Sequence, residues 1–123
     1  MRIIIAGSRT ITDQNEIFKA IELGLEMLAP QDVISILSGC ARGVDCVAIE
    51  FAEQNNIKYF LFPADWSRFG KSAGFRRNKL MADHADALIA IWDGKSKGTL
   101  HMINIAKTKN LQVYIYQTHD QNK

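Results

Sequence analysis

Five short apolar runs, each divided from the next by a segment of helical spacing, constrain this chain more than any other feature. The runs are IIIA (3–6), VISIL (33–37), YFLF (59–62), ALIAIW (87–92) and VYIY (113–116). They are rich in β-branched and aromatic residues and nearly continuous, as expected for strands buried on both faces. After the first run, Ile17, Ala20, Ile21, Leu25 and Leu28 recur on one helical face, with Asp13 and Glu16 at the cap and third position of a capping box. Val44, Val47, Ala48, Phe51 and Ala52 mark a second helix. A third is expected near 72–84 through Phe75, Leu80 and Met81, with Phe75 and Met81 turned to the core. A fourth, beginning after Gly98, directs Met102, Ile103, Ile105 and Ala106 inward. Strict alternation of strand and helix implies the α/β class, a parallel sheet between two helical layers. Right-handed crossovers leave few topologies. The expected one is a five-stranded sheet of order 3-2-1-4-5, whose direction reverses between strands 1 and 4. Ligands bind at such a reversal, outside the carboxyl ends of the strands.

The 123 residues favour one domain, over 1–116, followed by a loose tail at 117–123. Apolar runs of about six residues fall far short of the roughly twenty that cross a bilayer, so no membrane association is expected. The opening RIIIAGSR carries no secretory pattern. Cys40 and Cys46 lie too close together to staple a fold and are not a C-x-x-C pair. With His84, His101 and His119 scattered, they offer no metal-ligand spacing. The expectation is buried or turn thiols in a reducing, cytoplasmic setting, with no metal and no cofactor.

The formal net charge of +2 hides an uneven distribution. Residues 66–82 hold Arg68, Lys71, Arg76, Arg77 and Lys79 and no acid, and Lys95 and Lys97 follow in a second basic stretch. Both stretches adjoin glycine-bearing loops, and positive charge concentrated near a cleft gathers anions.

Three such loops follow strands 1, 2 and 4: AGSRT (6–10), SGCARGVD (38–45) and WDGKSKGT (92–99). In the expected topology these strands are neighbours, so the loops share one edge of the sheet. Glycine opens backbone conformations closed to other residues and lets a ligand approach the main chain. Free N–H groups at helix N-termini attract phosphate. Neither G-x-x-x-x-G-K-[ST] nor G-x-G-x-x-G is present, so the loops match neither standard phosphate motif. Together they favour an anionic ligand, best a nucleotide, whose base Trp66 or Trp92 could cover. Gly7, Ser8, Arg9, Ser38, Gly39, Arg42, Gly43, Asp45, Lys71, Arg77, Asn78, Trp92, Asp93, Lys95, Lys97, Gly98 and Thr99 are the candidate ligand-binding residues.

The segments GSR, SGCARGVDCVAIEFA and KSAGFRRNKLMADHADALIAIWDGKSKGT resemble the SLOG superfamily, which groups the DprA/Smf proteins with the LOG phosphoribohydrolases. The likeness runs from Arg2 to about Tyr116 and is nearest the small, single-domain, YspA-like branch of uncharacterised bacterial and phage proteins. It implies a Rossmann-like fold, a nucleotide or nucleotide-derived ligand and, by analogy with LOG proteins, a homodimer. Arg77, Met81, Ala85-Asp86 and Gly98-Thr99 match the LOG pattern, whereas its catalytic glutamate is replaced by Met102. Cleavage of a ribosyl bond builds oxocarbenium character that a fixed carboxylate stabilises. Asp45 and Asp93 are the candidate substitutes, Asp45 being alternatively a helix cap and Asp93 a ribose holder.

The leading expectation is therefore a module that senses or sequesters a nucleotide signal such as an ADP-ribose derivative. The alternative is an N-glycosidase using Asp45 or Asp93. A third and less favoured reading is single-stranded DNA binding, by analogy with DprA. Nucleic acid is not the expected partner, because the chain carries no further domain and its basic residues cluster by the cleft instead of forming a long stripe.

Overall fold

A computed structural model describes residues 1–31 and 34–118; Val33, expected to open the second strand, and tail residues 119–123 lie outside them. In chain order the elements are β1 (Arg2–Gly7), α1 (Gln14–Leu28), β2 (Ser35–Ser38), α2 (Val44–Gln54) and β3 (Lys58–Leu61). They continue with α3 (Trp66–Phe69), a 3-10 turn (Gly70–Ser72), α4 (Ala73–Asp83), β4 (Ala87–Trp92), α5 (Lys97–Thr108) and β5 (Gln112–Gln117). All strands are parallel, in the order β3-β2-β1-β4-β5, so the fold is the expected three-layer, Rossmann-like α/β/α sandwich.

Side chains alternate across a strand, and β1 serves both layers in turn. Ile3 and Ile5 pack with α1 and α2, whereas Ile4 and Ala6 pack with α4 and α5. β4 does the same, with Ala87, Ile89 and Ile91 on one face and Leu88 and Ala90 on the other. This double burial is why the inner strands read as unbroken apolar runs. The edge strands depart from that expectation: Phe60 and Leu61 of β3 are 42% and 53% exposed, and β5 is only partly covered. The four longer helices, α1, α2, α4 and α5, cannot cover both faces of five strands to their edges.

The helices start where local chemistry sets them. Asp13 caps α1, its Oδ1 accepting from the amides of Asn15 at 3.0 Å and Glu16 at 3.3 Å. Ser96 caps α5 by accepting from Thr99 N, so the helix begins at Lys97 and contains Gly98 instead of following it. On α4, Ala73, Asn78, Met81 and Ala82 face inward. Phe75 does not, contrary to expectation; it is 49% exposed, its ring stacked at 4.3 Å from that of His101. Seven residues make nearly two full turns, so Phe75 shares the angular position of Ala82. It stands at the helix start, however, where its ring meets His101 of α5 and lines a cleft at the carboxyl edge of the sheet. Leu80 is equally exposed. Both cysteines are exposed free thiols, where burial or a turn was expected; Cys40 lies in the loop after β2 at φ 64°, and Cys46 in α2.

The tightest packing lies at the end of β1. A Cβ on Gly7 would stand 2.3 Å from the Ile91 carbonyl oxygen and 2.6 Å from Val44 Cγ2. Backbone cannot retreat as a flexible side chain can, so Gly7→Ala is expected to destabilise the fold by about 1–3 kcal/mol. Urea titration would detect this as a lowered midpoint at constant slope; an unchanged midpoint would show that β1 and β4 can separate freely there.

Candidate functional site

The loops after β1, β2 and β4 meet at the carboxyl edge of the sheet, where they join the starts of α4 and α5 around a cleft of about 530 Å3. Gly7, Ser8, Arg9, Asp45, Lys71, Arg77, Asn78, Asp93, Lys95, Gly98 and Thr99 line it, eleven of the residues singled out in the sequence. Gly39 and Arg42 instead line an adjoining hollow of about 380 Å3, which shares Arg9 and Arg77 with the cleft. Ser38, Gly43, Trp92 and Lys97 line neither. Three of these build the walls. Ser38 Oγ donates to the Asp45 carbonyl at 3.0 Å, Trp92 Nε1 donates to the Ser96 carbonyl at 3.0 Å, and Gly43 at φ 79° precedes α2.

Hydrogen bonds tie the first and third loops together. Asp93 N donates to buried Ser8 Oγ at 3.1 Å, and Thr10 Oγ1 donates to Asp93 Oδ2 at 3.5 Å. Asp93 Oδ1 accepts from the amides of Lys95 and Ser96, both at 2.8 Å, which turns the chain into the α5 cap. Burial alone would raise the Asp93 pKa, but these amides outweigh it and hold the carboxyl below its ordinary range.

The glycines of the second loop make room for this chain's own groups. A Cβ on Gly39 would lie 2.3 Å from Arg77 Nη1 and 2.9 Å from Asp45 Oδ2, and one on Gly43 would meet the Ser8 and Arg9 carbonyls. Into the space at Gly39 passes the Arg77 guanidinium, whose Nη1 donates to the Gly39 carbonyl while Nε donates to Asn78 Oδ1 at 2.9 Å. Asn78 carries the contact onward. Its Nδ2 donates to the Gly98 carbonyl at 3.3 Å and faces His101 Nδ1 at 3.2 Å. Burial lowers the His101 pKa, leaving a neutral ring whose Nδ1 can accept. At Gly98 itself, a Cβ would meet nothing within 4 Å, so the first turn of α5 presents bare backbone to the cleft.

Asp45 is the buried acid of the site, 5% exposed at the second position of α2. Its Oδ2 accepts from Ala41 N at 3.2 Å, so it caps the preceding loop and not the helix end proper. Oδ1 has no hydrogen-bond partner among the described residues. Burial pushes its pKa up to about 6, against the lowering pull of the Ala41 amide, Arg77, the Gly7 amide and Arg9. Arg77 feels the reciprocal effects: burial lowers its pKa and Asp45 raises it.

Sequence reading passed over Thr10, Ala41, Ser96 and His101 as parts of this site. Ser96 had a signal, a serine three residues before Thr99 at a helix start. Ala41 acts through its backbone N–H, which no side-chain pattern reports. Met102, the position of the LOG glutamate, is buried and lines the cleft.

A carboxyl with a raised folded-state pKa binds its proton more tightly folded than unfolded, so stability falls as pH rises through the window between the two values. For Asp45 that window runs from the ordinary 3.8 to about 6. The loss amounts to on the order of 3 kcal/mol once both states are ionised. Asp45→Asn is expected to exceed the wild type in stability at pH about 7.5 by about 1–3 kcal/mol, the gap closing towards pH about 4.5. Denaturation curves at the two pH values check this, and a constant difference would remove Asp45 as the titrating group.

The fold and the sequence both have known counterparts. Over 98% of its length the chain superposes on 52% of DNA processing protein A (DprA) from Streptococcus pneumoniae, with TM-score 0.75 and 19% identity. It covers 67% of DNA processing protein A from Helicobacter pylori at TM-score 0.65 and 19% identity, a structure reported for its unique single-stranded DNA binding mode. An uncharacterized SPbeta prophage-derived protein, YoqJ of Bacillus subtilis (strain 168), is 36% identical over 44 residues, which are 36% of this chain and 26% of that protein. The chain thus spans about half of the S. pneumoniae protein and about a quarter of YoqJ. The DprA likeness overturns the expectation that nucleic acid is not a partner. That expectation rested on the lack of a further domain and of a long basic stripe, yet a basic groove needs no stripe: folding gathers Arg9, Arg42, Lys71, Arg77 and Lys95 from separate segments to one edge. Residues 1–69, more than half of the chain, match the family described as "YAcAr: YspA, cpYpsA-related SLOG family", and the chain belongs to it.

Proposed function

We propose that the protein binds a nucleotide or nucleotide-derived phosphate compound in the main cleft and retains it unchanged, as a sensor or sequestering module. The observation that carries this reading is the set of cations around the cleft. Arg9, Lys71, Arg77 and Lys95 line it, and none is in an ion pair; among the described residues the ion pair is Lys109 with Asp83, elsewhere on the surface. Four cations against two carboxylates, beside the bare first turn of α5, suit a phosphate.

The retained ligand follows from the carboxylates. Met102 offers a thioether where LOG enzymes use a glutamate, and a thioether cannot balance oxocarbenium charge. Asp93 has both oxygens engaged in holding the loop. Asp45 is held largely protonated below pH about 6, and in that form it can donate to a phosphate oxygen; above that pH it ionises beside Arg77, whose positive charge already engages it.

A second reading is single-stranded DNA, the ligand of the H. pylori DprA structure. It is favoured by Trp66, 50% exposed beside the cleft with the Arg9 guanidinium 5.8 Å from its ring centroid. Exposed aromatics beside cations make sequence-tolerant stacking platforms.

Calorimetry and thermal shift with adenosine, AMP and ADP, together with chromatography for released adenine, test the first reading. AMP and ADP are expected to raise Tm, adenosine much less, with no adenine released; equal shifts from all three would sink the idea. Lys71→Ala removes an exposed cation whose side chain makes no hydrogen bond among the described residues, and should weaken AMP binding severalfold. Arg77→Lys should weaken it by about tenfold, through loss of the planar guanidinium. Arg76→Lys, at an exposed position outside both hollows, should leave it unchanged. A labelled oligothymidylate titrated at two salt concentrations tests the second reading by the same three variants.

A further inference from the structure

The hollow beside the main cleft is not used by the mononucleotide reading, although it shares Arg9, Trp66 and Arg77 with that cleft. At about 380 Å3 it falls within the roughly 300–1,000 Å3 of small-ligand sites. Its walls come from the loop after β2, from Pro63 and Ala64 after β3, and from Arg9, Trp66 and Arg77, which it shares with the main cleft. Cys40, at φ 64°, bends the β2 loop so that Arg42 stands exposed at its rim. The lining holds three arginines and no carboxylate, and none of the three is in an ion pair among the described residues. The same lining supplies apolar surface: the half-exposed indole of Trp66, over which the Arg9 guanidinium lies 5.8 Å from the ring centroid, with Pro63 and Ala64. A half-exposed aromatic ring beside arginines suits a flat base attached to a phosphate.

Arg77 stands between the two spaces. Its Nη1 and Nε are committed to Gly39 and Asn78, whereas Nη2 makes no hydrogen bond among the described residues. A phosphate held there would have one nucleoside on each side.

We infer that this hollow is a second subsite, and that the ligand consists of two nucleoside units joined through phosphate at Arg77, with the outer base stacked on Trp66 and its phosphate side facing Arg42. The inference rests on the reading of the main cleft as a nucleotide site, and it extends the ligand class from mononucleotide to dinucleotide. A phosphodiester dinucleotide and a pyrophosphate-linked dinucleoside share this chemistry, and they are separate arms of the test.

Calorimetric titration of the full chain with AMP, with the 5′-phosphorylated dinucleotide of adenosine and with diadenosine diphosphate reads the outcome. At least one dinucleotide is expected to bind about tenfold or more tightly than AMP, and the tighter of the two identifies the linkage. In Arg42→Ala and in Trp66→Ala the ratio of dinucleotide to AMP affinity is expected to fall towards one. Both residues are exposed, and thermal melting of each variant checks that it is folded. A wild-type ratio near one with AMP bound overturns the second subsite alone, as does a high ratio that survives both substitutions. Failure of all three ligands to bind overturns the reading of the main cleft and this inference with it.

Discussion

The site depends on one contact, the Arg77 guanidinium lodged against the Gly39 carbonyl. A side chain from α4 there enters the loop between β2 and α2, beside a buried acid and through a gap that any residue larger than glycine would close. The contact keeps a cation half-buried, where its field is stronger than on the surface. It also relates the two faces of the sheet, since α2 lies on one and α4 on the other. Asn78 extends it to the first turn of α5, so one arginine fixes the relative positions of three elements around the cleft. Removing it would alter the shape of the pocket as well as its charge.

The architecture was legible because hydrophobic periodicity reports burial, and burial is what the layers of this fold share. β1, β2 and β4 are read without ambiguity for that reason, as are the apolar faces of α1 and α2. The edges were less legible. YFLF has the same composition as an inner strand, and only its place at the end of the sheet leaves Phe60 and Leu61 uncovered. Phe75 was misread for a related cause: helical period gives an angle but not the height at which the neighbouring layer stops.

Within the site, eleven of the residues singled out do line one cleft, nine of them charged or polar. The functions of the glycines were not. Gly7, Gly39 and Gly43 looked like openings for a ligand, yet the room they leave is filled by Ile91, Arg77 and the Ser8–Arg9 backbone. A sequence shows that a position must be small without showing which neighbour requires it. Nor could it show that a missing basic stripe is no obstacle to a basic groove, because that depends on segments distant in the chain meeting at one edge.

That distance bears on how the site comes into being. The hydrogen bonds that assemble it span 38 residues from Arg77 to Gly39, 83 from Thr10 to Asp93 and 85 from Asp93 to Ser8. The pairing of β1 with β4 closes nearly the same span, from Ile3 to Ala87, so the bonds between their loops follow the pairing of the strands that carry them. Interactions that form after the folding barrier act on the rate of escape from the native state and leave the rate of entry nearly untouched. A ligand seated among these loops would therefore act as a latch, lengthening the lifetime of the folded chain without hastening its formation.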